Sequence, residues 1–488
     1  MKSLLIIVLL TLLSGLTSMA NNHSTINQIE KTVKFRVVLD SSIHGKPFLI
    51  IFKSNFKVGS TATDQLEIEP VSNKGNTYIF ILPDQKKHVY FSLVTLQAGK
   101  IVFILDNFHF EPADDIIINL KQMKQNNQFD ISFAGKNSGK YRCQYEFSSA
   151  VRTAANLLKQ DTTKKHLIYE ETFCKVNAQL QVLEKYKSII SPFSFRLLKA
   201  DIQSKSVVEP LQIFSARLSS VVKTKDSSKV HQFITEYAKM FTLSFSDVPD
   251  SVLSVSRYYP DYVLGKIRLD YLVDHKKIDY RQYFEEIIKI SYKPVRDKVI
   301  VSFFVHNAER FYPILEELIN RSFTIVEDKQ CLIKLTDFKN ATIGNKAFDF
   351  ALQDNKGKTV RLSDYKGKIV FIDFWYTGCG ACKKYYQYEL REVEEKYIKN
   401  PDVVFITINV DESKEKWLKS ITEGQYTSDK VINLYTNGES DKHEMIRFYN
   451  IPGYPQPLLI DRKGNIAKFK DPSLRNKVGL TKAIEELN

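Results

Sequence analysis

Glycine and proline are scarce in this sequence. Its 488 residues hold 18 Gly and 15 Pro, which excludes a collagen-like or low-complexity chain. Nor is charge concentrated. Lys and Arg exceed Asp and Glu, 70 against 56, but the excess is spread thinly along the chain. It implies a mildly cationic surface and does not itself call for nucleic acid. Beyond the first twenty residues no stretch is apolar enough to span a membrane, and no repeat period is detectable. Only one CxxC is present, without a second CxxC or an HxxxH to complete a zinc site. No metal and no cofactor is therefore expected. The 43% apolar and 12% aromatic side chains suffice for real cores. The length suggests about three domains.

The N-terminus carries an address. Met1-Lys2-Ser3 is a short basic start, an apolar run extends from Leu4 to about Leu13, and Ser18-Met19-Ala20 places small residues where a signal peptidase reads. The run is about ten residues long, short of the roughly 20 that a membrane span requires. The expectation is a signal peptide over residues 1–20, cut before Asn21, rather than an N-terminal anchor. No Cys lies near the cut, which argues against lipidation. The mature protein is then periplasmic, in a compartment where disulfides persist. It has no stable membrane insertion and no nucleic-acid partner.

Three regions of different periodicity follow. Over residues 26–136, short apolar runs alternate with turn residues: Val33–Val37, Pro47–Phe52, Tyr78–Leu82, Val89–Leu93, Ile101–Leu105, Ile116–Leu120 and Phe129–Phe133. About seven such strands predict an antiparallel β-sandwich. Its histidines, His44, His88 and His109, are isolated and suggest no site. Over residues 139–335 the period becomes helical. Tyr169, Phe173, Val176, Leu180 and Leu183 share one face, as do Phe311, Ile314, Leu315, Leu318 and Ile319. This predicts an all-α region. Over residues 341–488 strands and helices alternate, which predicts an α/β domain. Ile369–Trp375 reads as a central strand covered on both faces, interrupted only by Asp373.

The chemistry concentrates in the third region. Cys379-Gly380-Ala381-Cys382 lies where a strand hands over to a helix, the context of a redox dithiol. A thiol at a helix N-terminus meets free backbone N–H groups and the positive end of the macrodipole, which favour a thiolate. Such a thiolate attacks a disulfide and later leaves readily. Cys382, one turn further on, is placed to resolve the mixed disulfide. Haem attachment would need His where Lys383 stands. Asp373 lies six residues before Cys379 within an apolar run. Burial there raises its pKa and suits it to exchange a proton with the second thiol. Three prolines, Pro452, Pro455 and Pro457, crowd the loop before Leu458-Leu459-Ile460, and composition does not say which is cis. Cys143, Cys174 and Cys331 are an odd number, so at least one is unpaired within the chain. A Cys143–Cys174 bridge and a relay through Cys331 both stay open.

The segment from Gly344 to Leu487 resembles the exported TlpA/ResA-like thiol–disulfide oxidoreductases of the thioredoxin superfamily. The resemblance is carried by Phe348-Asp349-Phe350, Asp364-Tyr365-Lys366-Gly367-Lys368, Asp373-Phe374-Trp375, the CxxC, Tyr449-Asn450-Ile451 and Gly453-Tyr454-Pro455 with Leu459-Ile460-Asp461. It implies a thioredoxin-like fold with a redox-active Cys379–Cys382 disulfide. Cys379 would be the nucleophile, Cys382 the resolving thiol, Asp373 the buried carboxylate and Pro455 the cis-proline facing the sulfurs. Tyr454, with Trp375 and Gly378, would meet an extended substrate segment. Members often carry Trp before the first Cys and Pro in the spacer, where this chain has Gly378 and Ala381. Peroxiredoxins share the fold, but their PxxxTxxC loop would need Pro at Ile372 and Thr at Tyr376.

The expectation is thus a periplasmic thiol–disulfide oxidoreductase that reduces protein disulfides. Its partners would be disulfide-bearing proteins and an upstream membrane or periplasmic electron donor. Lack of His in the spacer places its potential toward the thioredoxin side of the range from about −270 to −120 mV, against the pull of Lys383 and Lys384. The alternative is a cell-envelope binding or assembly protein whose thioredoxin-like domain is structural.

Overall fold

A computed structural model describes residues 32–41, 43, 45–52, 65–82, 89–97, 100–122, 129–160, 168–223, 226–240, 244–307, 314–449, 451 and 453–488. The expected signal peptide, His44, His88, Phe311, Asn450 and Pro452 lie outside these residues, as does the side chain of Tyr169. The described chain forms two compact units that meet in sequence between Lys277 and Ile278. The helical stretch predicted over residues 139–335 is therefore shared between them. The division falls where Lys276 turns into the left-handed conformation at φ 61° and the Asp279 carboxylate caps a new helix.

Among the described residues of the first unit, nine strands form two sheets. They are β1 Val33–Leu39, β2 Pro47–Phe52, β3 Gln65–Ile68, β4 Ser72–Lys74, β5 Thr77–Leu82, β6 Val89–Gln97, β7 Lys100–Phe110, β8 Asp115–Gln122 and β9 Phe129–Lys136. Their orders are β4-β5-β1-β8-β9 and β3-β2-β6-β7. Strand β1 buries every second residue, as strand periodicity requires. Its Val33, Phe35 and Val37 join Leu49 of β2 and Leu93 of β6 in one apolar cluster. The expected antiparallel arrangement is corrected at one place: β1 pairs with β8 in parallel. Strand β8 follows β7 through a turn at Glu111–Asp114 and changes sheet, so its direction is set by the crossing. The polar strands β3 and β4 gave no apolar run to read.

Among the described residues, six helices complete this unit: α1 Ser138–Gln160, α2 Ile168–Lys185, α3 Pro192–Lys223, α4 Ser227–Met240, α5 Asp250–Leu253 and α6 Tyr259–His275. Cys143 and Cys174 are both unpaired, so the bridge left open between them is not made. Burial pushes the Cys143 thiol up to about 12. His109 is buried beside Tyr90 and Phe193. The first turn of α1 is locked to the β7–β8 turn by a buried ion cluster. Lys140 Nζ lies 2.7 Å from both Glu111 and Asp114, and Tyr141 donates to Asp114 at 2.7 Å.

The second unit begins with α7 Tyr280–Ile288, α8 Lys293–Asn307, α9 Leu315–Phe323 and α10 Lys329–Asn340. Cys331 on α10 is fully buried, and burial raises its thiol pKa, which argues against a relay. A seven-stranded sheet follows: β10 Ala351–Asp354, β11 Thr359–Arg361, β12 Ile369–Trp375, β13 Val403–Asn409, β14 Ile432–Tyr435, β15 Gln456–Ile460 and β16 Ile466–Phe469, in the order β11-β10-β14-β13-β12-β15-β16. The helices among them are α11 Gly380–Tyr385, α12 Arg391–Tyr397, α13 Lys414–Glu423, α14 Glu444–Phe448 and α15 Lys477–Glu485. All seven residues of β12 are buried. Val370, Ile372 and Phe374 face one apolar cluster and Ile369 and Phe371 the other. Each such side chain contributes roughly 1.5–3 kcal/mol, which fixes this strand at the centre of the sheet. Among the described residues, no helix is long and apolar enough to cross a membrane.

Asp114→Ala would leave Lys140 buried without its full set of partners. The expected loss is about 3–5 kcal/mol of unfolding free energy, measured by urea denaturation. A change below 1 kcal/mol would show that the cluster does not hold the helix to the turn.

Candidate active site

Strand β12 delivers the chain to the site, and a short loop turns it into α11. That loop is tied down on both sides. The Thr377 N–H donates to Asp411 at 3.1 Å, the Thr377 hydroxyl lies 2.8 Å from that of Ser420, and the Gly378 N–H donates to the Tyr426 hydroxyl at 3.0 Å. Gly378 has φ 98°, a conformation that glycine adopts without penalty. A Cβ at this position would meet open space, so backbone conformation, not crowding, restricts it.

Cys379 is the N-cap of α11, and its sulfur accepts a hydrogen bond from the Cys382 N–H at 3.0 Å. The two cysteines form a disulfide with their Cα atoms 5.3 Å apart. Cys379 is 4% exposed and Cys382 1%. The rim around them is open. Gly378, Gly380 and Ala381 are all exposed, and neither glycine has a heavy atom near the Cβ it lacks. The sulfurs therefore lie low in the surface, with the approach running over small residues.

The sequence-predicted residues divide into those at the rim and those beneath it. The Tyr454–Pro455 peptide is cis. The Tyr454 carbonyl oxygen lies 3.8 Å from Cys379 Sγ, and its ring meets Tyr376 edge-on at 5.7 Å. Beside them runs a groove of about 560 Å³, lined by Ala381, Lys384, Tyr388, Tyr454, Pro455 and Arg475. Trp375, expected to meet substrate, is instead fully buried. It stacks on Tyr426 at 5.1 Å and packs with both cysteines, Trp417 and Tyr435. Its ring is a floor under the disulfide, because the last residue of β12 points to the helix-covered face of the sheet.

Asp373 is buried on that same face, with Oδ1 lacking a hydrogen-bond partner. Burial pushes its pKa well above the usual carboxylate range, opposed by the charge of Arg475. Glu394 on α12 lies in this layer too, and burial followed by the nearby Asp373 raises it to about 8. Tyr385 beside them is also raised, first by burial, and its hydroxyl donates to the Leu474 carbonyl at 2.7 Å. Sequence reasoning missed Glu394, which sits among charged neighbours on an outwardly ordinary helix. It also missed Thr377, Asp411, Trp417 and Tyr426. The scarcity of Trp was the one available signal for Trp417. Among the described residues, no group of His, Cys, Asp and Glu side chains could hold a metal.

A profile of the AhpC/TSA family matches residues 343–469. The chain is similar to the thiol-disulfide oxidoreductase ResA of Bacillus subtilis (strain 168), 32% identical over 125 residues, which is 26% of this chain and 65% of that protein. ResA of Geobacillus kaustophilus (strain HTA426) is 33% identical over 134 residues, 28% of this chain and 72% of that protein. The match thus spans about two thirds of the length of these curated relatives. Among solved structures, the thioredoxin domain of a thiol-disulfide oxidoreductase from Bacteroides vulgatus is 27% identical, covers 30% of this chain and 99% of that one, and has a TM-score of 0.27. A thiol:disulfide interchange protein from Bacteroides sp. is 28% identical, covers 30% and 90%, and has a TM-score of 0.26.

The two buried acids make stability depend on pH. Both hold their protons more tightly in the folded protein than in the unfolded chain, where carboxyls titrate near about 4. Stability is therefore full below that value and declines as pH rises toward the folded values. Asp373→Asn should gain on the order of a few kcal/mol at pH 8 and almost nothing at pH 4, in paired urea denaturations. An equal difference at both pH values would refute this account of the acids.

Proposed function

The chain belongs to the thiol–disulfide oxidoreductases of the thioredoxin superfamily, and from that premise we propose that it is an exported reductant of protein disulfides, working through Cys379 and Cys382. The observation that carries the reading is the position of the Cys379 sulfur. It caps the helix that holds Cys382 and lies against the carbonyl of Tyr454, a residue that lines the groove.

In the reduced protein the Cys382 N–H supports a thiolate on Cys379, reinforced by the partial positive charge of the helix terminus. A substrate segment pairing with the backbone at Tyr454 presents its disulfide to that sulfur. Attack breaks the substrate S–S bond, forms a mixed disulfide and releases the first substrate thiolate, which takes a proton from water. The Cys382 thiol then loses its proton by way of the Asp373 carboxyl group and attacks Cys379 Sγ. The internal disulfide forms and the second substrate thiolate departs. An upstream donor in the envelope would return two electrons to Cys379–Cys382. The Gly380-Ala381 spacer, with no His, supports a potential on the thioredoxin side of the range from about −270 to −120 mV. The N-terminal Leu4–Leu13 run supports export to the periplasm. Peroxide reduction is not favoured, because the positions that PxxxTxxC would fill are Ile372, buried within β12, and the exposed Tyr376.

The full chain should accelerate reduction of insulin by dithiothreitol, and Cys379→Ser should abolish the acceleration. A rate no higher than that of this variant would favour the binding-protein alternative. Cys382→Ala should accumulate mixed disulfides in cells, which mass spectrometry would identify. A measured potential at the oxidising end of the range would overturn the reductant assignment.

A further inference from the structure

Asp373 belongs to a polar row that crosses the sheet. It pairs in register with Thr407 on β13, which pairs with Asn433 on β14. The neighbouring side chains on this face, Ile369, Phe371 and Phe405, are apolar. The hydroxyls of Thr407 and Thr427 each donate to Asn433 Oδ1 at 2.8 Å, and Asn433 Nδ2 donates to the Ser428 carbonyl at 2.7 Å. Glu394 enters the layer from α12, 4% exposed, and its Oε1, like Asp373 Oδ1, has no hydrogen-bond partner. Glu394 also lines a cavity of about 780 Å³ whose wall includes Tyr386, Arg391, Thr427, Ser428 and Lys430. One carboxyl thus lies within electrostatic reach of the buried acid and lines a cavity apart from the substrate groove.

We propose that Glu394 forms an acid pair with Asp373 and relays the proton of the Cys382 thiol between Asp373 and this cavity. The inference rests on the thiol–disulfide reading above. When Cys382 attacks the mixed disulfide, Glu394 releases its proton through the cavity to water and takes that of Asp373, and Asp373 takes the proton of the Cys382 thiol, so both acids end as they began. The released substrate thiolate is protonated separately on the groove side. No net charge is then stranded beneath the sheet, and bound substrate does not block the proton's exit. The groups bearing on Glu394 are Asp373 from β12, Arg391 and Glu395 from its own helix, and Ser428 from the segment before β14. Arg475 and the Phe374 backbone bear on Asp373, and Tyr385 faces both acids. Two acids sharing so dry a layer titrate as a pair, in separated steps.

The test uses the reduced full chain and the infrared absorption of protonated buried carboxyls. The wild type should lose this absorption in two separated steps. Glu394→Gln should remove one step and lower the midpoint of the other by about one pH unit or more. Asp373→Asn should do the same from the other side. A second readout is stopped-flow resolution of a glutathione mixed disulfide at Cys379. Glu394→Gln should slow it roughly ten- to hundredfold near neutral pH, with partial rescue by formate, while the initial attack by Cys379 is unchanged. A single-step loss in the wild type, or an unshifted midpoint in either variant, overturns the pair. Unaltered resolution in Glu394→Gln overturns the relay. Because carboxyl titration does not require turnover, failure of the reductase assignment is separable from failure of the pair.

Discussion

The site depends on a helix that begins on a sulfur. An N-cap side chain ordinarily supplies an oxygen to a backbone N–H that would otherwise lack a partner. Here Cys379 Sγ fills that position toward Cys382. This sulfur is therefore held by the same interaction that starts the secondary structure. The placing of the sulfur and the start of the helix cannot be separated at this residue, and the neighbouring loop is built around that constraint. Thr377 is bound to Asp411, and Gly378 to Tyr426, before the chain reaches the sulfur.

Rigidity around the disulfide comes from aromatic packing. Trp375 on Tyr426 and Trp417 on Tyr435 are two nearly parallel stacks that form the floor and wall of the site. Each fully buried indole excludes water from the layer that also contains Asp373. Excluding water is what raises the pKa of the acid, since no solvent remains to stabilise its charge. Packing and proton affinity are thus two consequences of one dry layer. The opposite, open side is made of small or exposed groups: Gly378, Gly380, Ala381 and the backbone of Tyr454.

Local sequence reported the elements whose cause is local. The Ile369–Trp375 run is legible because a strand buried on both faces must be apolar throughout, and the CxxC is legible because its context is a strand followed by a helix. The parallel pairing of β1 with β8 was not legible, because it arises from a chain crossing between sheets. Strands β3 and β4 were missed because β4 has no apolar residue and β3 alternates over only four residues, with Leu66 and Ile68 its two apolar positions. Trp375 was misplaced because its neighbour in sequence is the exposed Tyr376. Both faces of the strand are covered, but only the fold shows that Tyr426 and Trp417 close over the Trp375 ring. Glu394 was invisible for a related reason: a charged residue on a helix reads as solvated until something packs over it.

By itself the sequence determined the disulfide-forming cysteine pair, the acid within the strand before it and the proline loop beside it. Each is fixed within a few residues of chain, by motif spacing and by the turn from strand to helix. Tertiary structure alone decided that Glu394 joins Asp373, that Trp375 lies under the sulfurs, and that Thr407 and Asn433 complete a polar row. Those groups come from separate strands and helices, and the dielectric that sets their proton affinity exists only once the layers have closed over them.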